Sequence, residues 1–252
     1  MFASWAAERG KAMFYADIHS HLLCRTDDGA TNGKMMFAML DEAYRTGTRK
    51  LCLTPHYQPA YYGDNRGSSQ KAFERLTSYA AKKYPDMQLF LGNELGYFTD
   101  CKQHLKSGAC RLLGDKYVLV DFTMDATLFA MRHAVSELLR AGYPVILAHV
   151  ERYRVLKGEF ALLNDWVRGG VFLQVNAESV SPSASFLTKR YVRKLFEYCP
   201  IHLVASDAHD LTTRTASLAA TANTLTEYYG ANVAEQLLWT NPNLVLEGKR
   251  LN

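Results

Sequence analysis

The chain has 252 residues, 48% of them hydrophobic, and a formal net charge of +4. That length suits one large α/β domain with a sizeable core. The positive excess forms no Lys/Arg block, which gives nucleic-acid and membrane-surface binding no support, and no run approaches the ~20 apolar residues of a spanning helix.

Cys24, Cys52, Cys101, Cys110 and Cys199 are odd in number and form no CxxC pair. A disulfide framework or thiolate zinc site is therefore not expected, and a reducing cytoplasm fits best. Residues 1–12 lack the apolar core of a secretory signal and read as an N-terminal extension. A single domain is expected over 13–252.

In chain order, the first element is FYADIHSH (14–21), an apolar run ending in two histidines one residue apart. On a strand, His19 and His21 would face the same way. Neutral imidazoles aimed at one point suit a metal ion, and a solvated polar pair is the plain alternative. RTDDGA (25–30) follows, where Asp27 reads as a turn or helix cap and Asp28 as the better ligand. KMMFAMLDEAYRTG (34–47) has helical spacing and a glycine stop. LCLTPH (51–56) is the second strand-like run and ends in His56 after a stiffening proline. YQPAYYGDNRGSSQ (57–70) reads as a loop able to line a site.

LFLGNE (89–94) is the third run and ends in Glu94, and DCKQHLKSG reads as a loop with a surface histidine, His104. YVLVDF (117–122) carries Asp121, and a helix with His133 is expected over 126–142. VILAHV (145–150) ends at His149, followed by Arg152, whose guanidinium would make a good phosphate clamp. VFLQVN (171–176), a helix over 185–198, HLVASD (202–207) and a helix over 214–230 complete the series. In SDAHD (206–210), Asp207 and His209 repeat the opening spacing, whereas His202 and His133 read as structural or solvated.

Seven such runs alternating with helices predict βα units, a parallel sheet and a seven-repeat barrel, with an open doubly wound sheet as rival. Six of the runs deliver His, Asp or Glu at or near their C-terminal ends, the edge where α/β proteins carry their sites. Nine mixed donors without cysteine point to two or three Mn, Fe or Zn ions in a hydrolytic setting.

The ordered set DIHSHLL, DDGA, TPHY, LGNELG, VLVDF, AHVERY, ASDAHD and TNPNLVL resembles the polymerase and histidinol phosphatase (PHP) superfamily. Within it the chain is similar to the CpsB/CapC-type bacterial tyrosine-protein phosphatases. The resemblance runs from about residue 13 to the C-terminus. It implies a distorted (β/α)7 TIM-like barrel holding three metal ions, Mn²⁺ first and Fe or Zn as alternatives. It assigns His19, His21, Glu94 and Asp207 to one ion, Glu94, His149 and Asp121 to a second, and Asp28, His56 and His209 to a third. Arg152 and Arg214 stand where the family binds phosphate. Asp121 departs from the pattern, because the family usually has glutamate there. Glu42, Tyr57 and Asn176 are candidates for supporting roles.

The implied activity is hydrolysis of phosphotyrosine, on the tyrosine-rich tail of a bacterial tyrosine autokinase controlling capsule or exopolysaccharide synthesis. The alternatives are a histidinol-phosphate or other small-molecule phosphatase of the superfamily and a catalytically idle kinase-docking protein. A proofreading nuclease is disfavoured by the modest charge. The thiol route of tyrosine phosphatases needs an arginine six residues after the cysteine, and those positions hold Ala30, Gln58, Ser107, Lys116 and Ala205.

Overall fold

The computed structural model describes residues 13–251; the expected extension over 1–12 lies outside the described residues. Among the described residues, nine strands form two sheets. The smaller has the order β1-β2-β4, made of β1 (Tyr15–Asp17), β2 (Thr48–Leu53) and β4 (Gln88–Leu91). The larger has the order β3-β5-β6-β7-β8-β9, made of β3 (His56–Tyr57), β5 (Glu94–Gly96), β6 (Val118–Asp121), β7 (Val145–Leu147), β8 (Val171–Asn176) and β9 (Ile201–Ala205). Every ladder is parallel.

All seven expected runs carry strands, but two of them are broken. LCLTPH divides into β2 and β3 at Thr54-Pro55, and LFLGNE divides into β4 and β5 at Gly92-Asn93. Proline has no N–H to donate to a ladder. Asn93 takes up the slack: its Nδ2 donates to the Pro55 carbonyl at 2.9 Å, and the Glu94 N–H reaches the same oxygen at 3.3 Å. The two strands bend together, and His56 emerges in register with Glu94.

The strands are buried on both sides, so their residues alternate between two apolar clusters. Val118, Val120, Val145, Leu147 and Val204 pack outward with helical residues such as Met131, Leu138 and Leu195. Ala16, Ile18, Leu119, Ile146 and Leu203 pack among themselves, joined by Val245 and Leu246 of the helix Asn241–Leu246. A third cluster sits around β2 and the helix Gly33–Arg45. The segments beyond β1 and β9 are tied as well: Ser20 bridges Ala208 in parallel, and the His21 N–H meets the Ala208 carbonyl at 2.8 Å.

Three expected helices appear with side-chain caps. Asn32 caps Gly33–Arg45, Thr127 caps Leu128–Arg140 and Ser185 caps Phe186–Tyr198, each accepting an N–H from three residues on. The fourth starts later than expected, at Ala219. The Asp210 carboxylate collects the N–H groups of Thr212, Thr213 and Arg214, which holds 210–214 as a turn and leaves Arg214 beside the strand ends. The supposed loop over 57–70 contains the short helix Pro59–Tyr62 and the start of an 18-residue helix, Arg66–Lys83. Its buried stripe of Ser69, Ala72, Leu76 and Ala80 is mostly small residues, so it carries little apolar signal. His104 is likewise not in a surface loop. It lies on the helix Cys101–Lys106, half-buried, with its Nδ1 2.6 Å from Tyr57 Oη.

Candidate metal centre

The strand ends converge as the sequence predicts. His19 and His21 follow β1, held by Asp17, whose Oδ1 accepts the N–H groups of His19 and Ser206. Their Nε2 atoms stand 3.2 Å apart. Each lies 3.2 Å from Glu94 Oε2 and 3.4 Å from Asp207 Oδ1. On the other side of Glu94, Oε1 is 3.0 Å from His149 Nε2, which is 3.6 Å from Asp121 Oδ1. Asp28 Oδ1 lies 3.4 Å from His56 Nε2 and 3.3 Å from His209 Nε2. His56 stands between two groups, because its Nδ1 also faces Glu94 Oε2 at 3.0 Å. All nine predicted donors therefore meet in one continuous cluster, mostly buried, with Asp28 at its exposed end.

The tautomers are set from behind. His21 Nδ1 donates to Asp27 Oδ2 at 2.8 Å, and His209 Nδ1 donates to the Asp207 carbonyl at 2.8 Å. His19 Nδ1 donates to Gln174 Oε1 at 3.1 Å. Each bond commits a proton to Nδ1 and turns the Nε2 lone pair toward the centre, the arrangement expected behind a metal-binding imidazole. Asp27 is thus more than a turn residue, since it also accepts the His56 and Gly29 N–H groups. Gly29 is required there: a Cβ would come within 2.0 Å of the His21 carbonyl oxygen. Gln174 was not singled out in the sequence, although a lone amide inside the apolar run VFLQVN was a usable signal.

Glu94 Oε2 and Asp207 Oδ1 are buried and close to ring nitrogens yet take no hydrogen bond, and His209 Nε2 is equally unpartnered. Unsatisfied buried polar atoms of this kind are costly, and a cation between them would satisfy them. Donors spaced 3.2–3.4 Å apart fit around a first-row divalent ion at about 2 Å. The donors are imidazoles and carboxylates, which suits Mn, Fe or Zn.

Charge is tightly interlocked. Burial alone would raise the Glu94 carboxyl, but His19, His56 and the hydrogen bond from His149 hold it well below its usual range. Asp207 is likewise held low against its burial, by His19 and His21. Burial opposes a charge on His149, yet Glu94 and Asp121 push it up to about 9. Nearby acids likewise raise His21 and His56 against their burial, whereas burial and His21 lower His209, so at His21, His56 and His149 a proton competes with a metal for the same atoms. His149 and Asp207 also hold positive φ angles of 30° and 52°, conformations that cost a non-glycine residue about 1–3 kcal/mol each and tend to sit at functional sites.

Asp207 Oδ2, the oxygen facing away from His19, accepts from Asn176 Nδ2 at 2.7 Å and pairs with Arg152 at 3.4 Å and with Arg214. Both arginines remain partly open to solvent. Asn176 thus joins the site. Glu42 and Tyr57 do not: Glu42 lies near Arg45 and Ala216, and Tyr57 pairs with His104. His202 is structural, its Nδ1 accepting the Leu173 N–H at 3.2 Å, and His133 is exposed on its helix. Tyr62, unassigned in the sequence, stacks on the His56 ring with centroids 5.2 Å apart and an interplanar angle of 4°.

The profile of the CpsB/CapC family, described as capsular polysaccharide synthesis, matches residues 15–247. The tyrosine-protein phosphatase CpsB of Streptococcus pneumoniae is 27% identical over 236 residues, covering 91% of this chain and 97% of that protein. The tyrosine-protein phosphatase YwqE of Bacillus subtilis is 28% identical over 236 residues, covering 93% and 92%. Crystal structures of YwqE and CpsB, described as unique metal-dependent tyrosine phosphatases, superpose with a TM-score of 0.85 at 27% identity over 94% of this chain and 96% of theirs. With such a match over nearly its whole length, the chain belongs to the CpsB/CapC family of capsular polysaccharide synthesis proteins.

Proposed function

We propose that this protein is a metal-dependent protein-tyrosine phosphatase. The observation that carries the reading is the joining of Asp207 to both halves of the site: Oδ1 faces His19 and His21, while Oδ2 holds Arg152 and Arg214. His19, His21, Glu94 and Asp207 would hold one ion, Glu94, Asp121 and His149 a second, and Asp28, His56 and His209 a third, with Mn²⁺ preferred over Fe or Zn. Bound there, such ions supply an activated water and neutralise charge on phosphoryl oxygens. The two arginines, with donors to spare at the open end, turn to grip the phosphate oxygens and set the ester in line for attack. Gln174, Asp27 and the Asp207 carbonyl accept from the Nδ1 atoms and keep the Nε2 donor nitrogens aimed at the centre. The departing phenolate has a pKa of about 10, so it leaves without a strong general acid.

The thiols support no competing route. Burial pushes Cys52 and Cys110 far above the usual thiol range and Cys199 up to about 11. All five cysteines are free, which supports a reducing cytoplasm as the working compartment. Among the described residues, no helix is long and apolar enough to cross a membrane. We read the two sheets as one distorted (β/α)7 barrel in a single domain over 13–252, which the Ser20–Ala208 bridge and the shared inner cluster support. The substrate we infer is the phosphorylated tail of a bacterial tyrosine autokinase that governs capsule or exopolysaccharide synthesis.

The test is phosphate release from a phosphotyrosine peptide by chelator-stripped protein, with and without Mn²⁺, alongside His209→Ala. Activity that returns with metal in the parent and fails in the variant is expected. Absence of release with every metal tried would refute the phosphatase reading.

A further inference from the structure

Asp121 is one methylene shorter than the glutamate that the family resemblance implies at its place, so its carboxylate depends on its surroundings to be brought to the cluster. Those surroundings are specific. Tyr153 Oη lies 2.8 Å from Asp121 Oδ1 and 3.2 Å from the Phe122 nitrogen. The main-chain N–H can only donate, so the hydroxyl accepts from Phe122 and its single proton goes to Asp121. The ring is 1% exposed, stands edge-on to Phe122 at 6.0 Å between centroids, and lies 5.6 Å from the His149 ring. It also packs in the main apolar cluster, which leaves it little freedom to turn. A rigid donor is therefore fixed against one oxygen of a short carboxylate whose side chain is still 22% exposed.

We propose that Tyr153 is a positioning residue for the metal centre: its hydroxyl locks Asp121 Oδ1 so that the shorter carboxylate serves where a glutamate would otherwise stand. The bond does two things. It removes the rotamers in which a free aspartate would swing toward solvent, and it holds the carboxylate on the side of His149 and Glu94. Tyr153 does not act as a ligand, because its hydroxyl already has a donor and an acceptor partner. This inference rests on the metal-centre reading above.

Tyr153→Phe tests it by deleting only the hydroxyl. Metal content per chain is measured by elemental analysis after equilibration with Mn²⁺ against graded chelator, with unfolding of the metal-free protein followed in parallel. Loss of such a supporting bond weakens metal binding by about 10–100-fold. The expected result is that one class of ion leaves Tyr153→Phe at correspondingly higher free Mn²⁺ while the rest are retained. The double variant Tyr153→Phe/Asp121→Glu is expected to recover that ion, since the longer acid reaches without the anchor. Identical metal-release curves for the parent and Tyr153→Phe would overturn the proposal. So would a double variant as deficient as the single one, which would mean that the hydroxyl serves the fold and not Asp121. If the parent itself takes up no ion, the metal-centre reading falls first, an outcome distinct from equal uptake by both proteins.

Discussion

Removing the Asp27 carboxylate tests whether the imidazoles are aimed from behind. Asp27 Oδ2 accepts from His21 Nδ1 at 2.8 Å and from the His56 N–H at 3.0 Å, while Oδ1 accepts from the Gly29 N–H at 3.0 Å. The side chains of Asp27 and His21 are fully buried, so water does not replace these bonds. Asp27→Ala frees His21 to place its proton on either nitrogen and lets the ring turn. Supporting carboxylates of this type are worth about 10–100-fold in metal affinity, or about 1.4–2.7 kcal/mol. Asp27→Asn is expected to fall between parent and Ala. It can keep its oxygen toward His21 and His56, but its NH₂ then opposes the Gly29 N–H and the negative charge is lost. The assay is Mn²⁺ uptake against a competing chelator, with thermal unfolding of the metal-free proteins as a control. If Asp27→Ala binds metal with the midpoint of the parent, the orienting argument is wrong.

Tyr62→Ala should reduce kcat/KM for a phosphotyrosine peptide by about 5–10-fold and leave an alkyl phosphate nearly unchanged, because a ring parallel to His56 offers a face for a phenol worth about 1 kcal/mol; equal losses on both substrates would refute a role in selectivity. Cys24 is the cysteine left half-buried, and Cys24→Ser or its alkylation should change turnover less than about 2-fold; inactivation by alkylation would bring back a thiol mechanism. Burial lowers His202 to about 4, against 6.5 when unfolded. The unfolded chain then takes the proton first, so stability is full above pH 6.5 and falls as pH drops toward 4, by about 3 kcal/mol in all. In metal-free protein, His202→Asn should flatten the dependence of Tm on pH across that window; an unchanged slope would refute the assignment.

How legible the site was depended on how local its signals were. Most of the nine donors lie where an apolar run of the sequence meets a polar residue, a boundary visible in sequence, although His56 and Glu94 open β3 and β5 and Asp28 lies in the turn region after β1. The groups that aim them show no such boundary. Asp27 looked like a turn residue because its partners are His21 Nδ1 and the distant His56 N–H. Gln174 reaches His19 across 155 positions, a distance no local pattern encodes. The helix Arg66–Lys83 was missed because Ser69, Ala72 and Ala80 bury a face with few large apolar side chains.

The broken strands show why seven runs became nine strands without loss of the site. Pro55 cannot donate to a ladder, and both runs break at neighbouring points, Thr54-Pro55 and Gly92-Asn93. A continuous strand past either point would carry its end residue along the smaller sheet. The bend instead delivers His56 and Glu94 as register partners in the larger one. Glu94 then stands within reach of His19, His21, His56 and His149 at once. Its two oxygens face different donors, Oε2 toward His19, His21 and His56 and Oε1 toward His149, and the bend sets the carboxylate between them. The strand breaks at Pro55 and Gly92 thus lie next to donors, as do two of the four positive-φ non-glycine residues among the described residues, His149 and Asp207, while the inner and outer apolar clusters support the rest of the fold.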